Sequence, residues 1–130
     1  LDKQNLERMF DCQITGMAYP YGTYNDEVVQ ILKKCKIQYA WSVVSSGAFK
    51  LQKNLLIFKP TCHHADENIW ELLEKFLKEK SEEKQLFYIW GHSYEFDVNN
   101  NWKRMEEILD RLIGHNNIFY GTNREVLLPC

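Results

Sequence analysis

The apolar positions of the chain alternate between two spacings, one of helices and one of strands. Leu6, Met9 and Phe10 fall on one helical face, which predicts a short helix over residues 3–10. Residues 12–19 are mostly apolar and read as a strand that must stop at Pro20, whose nitrogen carries no hydrogen. Tyr19-Pro20-Tyr21-Gly22 is turn chemistry. Thr23 is then placed to cap a helix over about 25–34, with Asp26 as the partner of a weak capping box. Val28, Val29, Ile31 and Leu32 form its apolar side, and Lys33 and Lys34 suit the negative end of its dipole. Residues 37–44 are rich in aromatic and β-branched side chains and predict a second strand.

A polar turn around Gly47 leads to a third, short strand at 55–58, followed by the loop Cys62-His63-His64-Ala65-Asp66. Asp66 can cap a helix over 67–80 whose apolar face holds Ile69, Trp70, Leu72, Leu73, Phe76 and Leu77. The charged run 78–84 reads as a solvated end. Residues 86–90, Leu-Phe-Tyr-Ile-Trp, have the length and continuous apolarity of a buried parallel strand, and Gly91 stops it. Asn99, Asn100 and Asn101 offer caps for a helix over about 102–113 that Gly114 closes. Residues 118–120 predict a last short strand, and Thr122 or Asn123 starts a terminal turn.

Strands joined by connections of helix length predict right-handed βαβ units and a mainly parallel sheet, an α/β fold of about five strands and four helices. At 130 residues the chain, 1–130, is expected to be one domain with a real core. A hydrophobic share of 45% fits a globular protein, and no segment has the length of a bilayer span. A net charge of −2, with no basic cluster, gives no reason to expect nucleic acid or a membrane surface as partner. The opening Leu-Asp-Lys-Gln is not a signal peptide, and the absence of an initiator Met suggests a processed product or a fragment. Cys12, Cys35, Cys62 and Cys130 are scattered with no Cys-x-x-Cys, and reduced, structural thiols are expected. The compartment stays open.

Candidate chemistry gathers behind residues 86–90. The loop after the C-terminal end of a parallel strand lies on the rim where α/β proteins bind ligands, and His92 stands there. An imidazole is the side chain that exchanges protons near neutral pH, so His92 is taken as the chemical centre. Glu95 and Asp97 are placed to orient it by accepting its second ring proton. His63, His64 and Asp66 have the chemistry of a metal site, but adjacent histidines tend to diverge and Asp66 has capping to do. One of these histidines lines the substrate groove in the alternative reading. Among the tryptophans, Trp70 and Trp102 fall on helix faces, and Trp90 is the better groove-lining residue.

Two stretches together resemble the polysaccharide deacetylase family, carbohydrate esterase family four. Gly16-Met-Ala-Tyr-Pro-Tyr-Gly-Thr-Tyr-Asn-Asp-Glu-Val-Val is similar to that family's Arg-x-Pro-Tyr-Gly motif and the helix after it. Trp90-Gly-His-Ser-Tyr-Glu-Phe-Asp is similar to its final strand with the catalytic histidine, and Pro60-Thr-Cys-His-His-Ala-Asp to a linking segment of one branch. The resemblance implies a distorted (β/α) barrel and a metal-dependent removal of acetyl groups from N-acetylated sugars or polysaccharides. It implies His92 as the general acid and the backbone amide of Tyr21 as the oxyanion donor, with Pro20 and Gly22 shaping the turn. His63, His64, Trp90 and Glu95 would line the substrate.

The family's Thr-Phe-Asp-Asp-Gly and His-x-x-x-His motifs, which carry the base and the metal ligands, are absent from this chain. Ala18 stands where the family often has an arginine, and Val44-Ser45-Ser46-Gly47 has no acid where an Asp-x-x-Asp-Trp motif would fall. The chain therefore resembles the C-terminal part of the barrel. A divalent metal, zinc foremost, is implied for the complete domain and none for this chain alone, which is expected to be inactive. An open strand edge and an uncovered apolar face predict self-association or pairing with an N-terminal half. A non-catalytic carbohydrate-binding or assembly module on the same scaffold is the competing reading.

Overall fold

The computed structural model describes residues 2–128, so the expectation for Cys130 lies outside the described residues. Two compact units divide the chain. One holds the N-terminal stretch to Ser42, Lys53–Phe58 and the stretch from Tyr120; the other holds Val43–Gln52 and Lys59–Phe119. Each contains one parallel βαβ element, so the α/β class and the parallel pairing stand.

In the first unit, α1 (Asp2–Phe10) precedes β1 (Gly16–Ala18), α2 (Asp26–Lys34) and β2 (Tyr39–Trp41). β1 and β2 pair in parallel with Gly16 opposite Tyr39 and Ala18 opposite Trp41, and α2 is the crossover. Gly16 is required by close approach: a β-carbon there would lie 1.9 Å from the Tyr39 ring. Tyr19, Val29, Leu32, Ile37, Ala40 and Leu56 make the core, and the buried Tyr19 hydroxyl donates to the Leu56 carbonyl at 2.7 Å. Ile31, expected inside, is 49% exposed. Asn25 rather than Thr23 caps α2, its side chain accepting from the Val28 amide at 2.9 Å. Thr23 instead turns its hydroxyl back to the Pro20 carbonyl. The strand expected at 55–58 is a 3₁₀ turn over Leu55–Ile57, capped by the Asn54 side chain, and only Phe58 bridges to Trp41. The terminal turn is a helix, α6 (Asn123–Leu127), opened by a Thr122–Glu125 capping box.

In the second unit, β3 (Cys62–His63), α3 (Ile69–Lys78) and β4 (Ile89–Trp90) repeat the arrangement, followed by α4 (Tyr94–Val98) and α5 (Trp102–Leu112). Cys62 pairs with Ile89 and His63 with Trp90. Cys62, Ile69, Leu73 and Ile108 are fully buried, where α5 packs on α3. Each buried Ile or Leu there contributes about 1.5–3 kcal/mol of transfer free energy. The run 86–90 is half-buried rather than central, and only its last two residues are strand. Its earlier backbone groups have other partners. Leu86 N–H donates to the Phe49 carbonyl at 2.7 Å, and Tyr88 N–H to the Thr61 hydroxyl at 3.0 Å.

Residues 118–120 form no strand, so the described residues hold four short strands in two pairs instead of about five in one sheet. Cys12 and Cys35 are free and exposed, and Cys62 alone behaves as the small buried hydrophobe expected of all three. Among the described residues no helix is long and apolar enough to cross a membrane.

Candidate functional site

The C-terminal ends of β3 and β4 carry the polar cluster of the second unit. β3 stops at His63, and His64 already lies in a turn, so the alternation of a strand is broken between them. The two rings therefore lie on the same side, with centroids 4.3 Å apart, although adjacent histidines were expected to diverge. His64 N–H donates to the Trp90 carbonyl at 2.9 Å, which fixes this turn against the end of β4. The His64 ring is buried beneath Phe96, with centroids 4.2 Å apart, and the His63 ring meets Trp90 edge-on at 4.5 Å. From α5, the Arg104 guanidinium donates to the carbonyls of His64 at 3.0 Å and Asp66 at 2.7 Å, holding the turn from its other side.

One oxygen gathers the cluster. Glu95 Oε2, in the first turn of α4, lies 2.7 Å from His64 Nε2, 3.1 Å from His63 Nε2 and 3.0 Å from the backbone nitrogen of His92. The His92 amide, followed by the imidazoles, holds the Glu95 carboxyl below the usual carboxylate range. Burial, reinforced by His64 and opposed by Glu95, holds His63 below the ordinary imidazole value. Burial also pushes the Cys62 thiol up to about 12, which makes it inert as a nucleophile.

Glu95 is thus used differently from the expectation. It accepts the backbone N–H of His92 and ring protons of His63 and His64, not a ring proton of His92. Asp97 does not orient His92 either: it accepts from the Trp102 indole at 2.7 Å. Asp66 does not cap α3 as expected: the N-cap is Asn68, and the Asp66 Oδ1 accepts from the Asn68 amide at 2.9 Å in the turn before the helix. His92 itself is exposed on the rim, its ring stacked on Tyr94 at 5.4 Å and edge-on to Trp90 at 6.2 Å. Trp90 is half-buried, with its indole nitrogen enclosed.

Pro20, Tyr21 and Gly22 belong to the first unit and follow the C-terminal end of β1. The turn is closed by Gly22 N–H on the Tyr19 carbonyl at 2.8 Å and Thr23 N–H on the Pro20 carbonyl at 3.2 Å. Tyr21 and Gly22 both take positive φ, 56° and 67°. The Tyr21 ring is 94% exposed, so burial of the side chain does not offset its positive-φ backbone.

His63, His64 and Glu95 offer metal-capable atoms within 4.8 Å of one another, with Glu95 in the place expected of Asp66. The hydrogen bonds do not fit a cation. The Ala65 amide donates to His63 Nδ1 at 3.1 Å, so the ring proton sits on Nε2, the nitrogen that faces Glu95. His64 faces Glu95 through Nε2 as well. A metal there would push its proton onto Nδ1, which is buried among the described residues without an acceptor.

Periodicity along the chain offers no signal for the convergence on Glu95, which joins residues 31 positions apart. The same holds for Arg104, whose role sequence reasoning missed. No protein-family model, curated protein or solved structure matches the chain.

Proposed function

We propose that this chain supplies the proton-donating side of a polysaccharide deacetylase-like hydrolase that removes acetyl groups from N-acetylated sugars. The single observation that carries the reading is the setting of His92. Its backbone is pinned to Glu95 at the C-terminal end of a parallel strand while its ring stays exposed between Trp90 and Tyr94. When water adds to the acetyl carbonyl, the carbon–nitrogen bond breaks only if the amine leaves with a proton. A protonated imidazole held at the rim supplies that proton. In this reading Trp90 and the half-buried His63, whose rings meet edge-on at 4.5 Å, are the substrate-lining residues beside His92, with the His64 ring packed against His63. The turn at Pro20–Gly22, in the other unit, is the second motif of the resemblance, which implies its Tyr21 N–H as the family's oxyanion donor.

The base and the metal belong to family motifs that this chain lacks, and the donor pattern of His63, His64 and Glu95 does not replace them. Two parallel βαβ elements support reading the chain as a part of a (β/α) barrel. Their short strands and open edges call for a second copy or a segment bearing the Asp-Asp and His-x-x-x-His motifs. The test is acetate release from N-acetylglucosamine oligomers by the chain mixed with such a segment and zinc. Turnover in the mixture, none from either part alone and loss in His92→Ala support the reading. Oligomer binding without turnover in any mixture overturns it in favour of a binding module.

A further inference from the structure

We infer that Glu95 is a positioning residue: with His63 and His64 it forms a tautomer-locked strap that fixes the backbone of His92 and leaves its ring exposed. Three N–H groups converge on the one oxygen, from His63 at 3.1 Å, His64 at 2.7 Å and the His92 amide at 3.0 Å. Neither imidazole can turn away. His63 is held by the Ala65 amide on its other nitrogen, and His64 is enclosed by Phe96 and by Gly91, which has no side chain to displace it. Arg104 fixes the same turn through the carbonyls of His64 and Asp66. The strap therefore ties the ends of two strands to the first turn of α4, and His92 lies in the short span between.

A carboxylate that accepts three donors in a half-buried place stays anionic and stationary. Its partners are donors and not ligands, so the cluster shapes a loop instead of holding a cation. A change of charge on the His92 ring then leaves the loop in place, because the bond that anchors it is made by the backbone. The strap stands on its own geometry, while its use in proton donation rests on His92 being the general acid.

The test is nitrogen-15 NMR of the imidazoles in the chain as it stands, at neutral pH, before and after addition of zinc. The strap requires the Nε2–H tautomer on both His63 and His64, and ring signals unchanged by one equivalent of zinc. An Nδ1–H tautomer on His63, or one zinc bound per chain with both rings perturbed, overturns it. In Glu95→Ala the His92 amide should exchange at least about tenfold faster while core amides of α3 keep their protection. In Glu95→Gln, which retains an acceptor oxygen, part of that protection should return. Equal loss across all amides would show a general structural role and overturn the positioning claim. Should Glu95→Ala fail to fold, the tautomers of the unsubstituted chain still decide. Absence of deacetylase activity beside intact tautomers would sink the reading of His92 and leave the strap standing.

Discussion

Gly91 lies so close to the His64 imidazole that a β-carbon on it would come within 1.9 Å of His64 Cδ2. Its φ of 153° is also one that side-chain-bearing residues avoid. The glycine that ends the apolar run in sequence is therefore also the space into which the buried histidine fits. Gly91→Ala should cost more than about 2 kcal/mol, because strain and overpacking act together. Urea unfolding followed by tryptophan fluorescence reports mainly on this unit, which holds Trp70, Trp90 and Trp102, while Trp41 lies in the other. A midpoint within error of the unsubstituted chain would contradict the packing described.

The helices are legible in the sequence because their signal is local. α2, α3 and α5 follow the 3.6-residue apolar period to within a few residues of the expected ends. The strands are legible in place but not in length, since pairing depends on partners elsewhere in the chain. Residues 86–88 have the composition of a strand, yet their backbone groups are taken by Thr61 and Phe49. α4 escapes a sequence reading because Ser-Tyr-Glu-Phe-Asp has the composition of a polar loop. It holds only one buried residue, Phe96, and so has no period to detect. The rim position of His92 can be read from the sequence. The convergence of His63 and His64 cannot, because it depends on a strand ending between two adjacent residues.

Acid should loosen the cluster in two steps of the same sign. His63 binds its proton less readily when folded than when unfolded, so the unfolded chain takes up more protons as pH falls below about 6.5 and stability declines. The groups facing it are His64 on its own turn, Glu95 on α4 and His92 on the preceding loop. Glu95, whose folded value is lowered, adds a second decline once the pH falls below about 4.5, the ordinary carboxylate range. Urea midpoints measured from pH 8 to pH 3 should fall on both stretches, and His63→Gln should remove the first. A midpoint that rises on acidification would contradict the assignment.

The three described thiols should separate by reactivity. Cys12 and Cys35 are exposed, whereas Cys62 is fully buried and its pKa is pushed up to about 12. Native alkylation at pH 8 followed by peptide mass spectrometry should label Cys12 and Cys35 and spare Cys62 until urea is added. Rapid native labelling of Cys62 would show that β3 is not enclosed.

Exposed apolar side chains on α5 and beyond, Leu109, Ile113 and Phe119, are 53–73% open to water. If the chain is part of a barrel, such surface awaits a cover. Light scattering behind a sizing column should find a dimer or larger species for the chain alone. A monodisperse monomer at tens of micromolar would contradict the part-barrel reading.

The most direct measurement of the central claim asks whether His92 gives a proton to a departing amine. The reconstituted mixture would be assayed on an N-acetylated sugar and on an aryl acetate, whose leaving group departs without protonation. His92→Ala should lower kcat on the amide by about 10²–10⁴ and leave the aryl ester within about tenfold of the unsubstituted mixture. Equal losses on both substrates, or none on the amide, would contradict it.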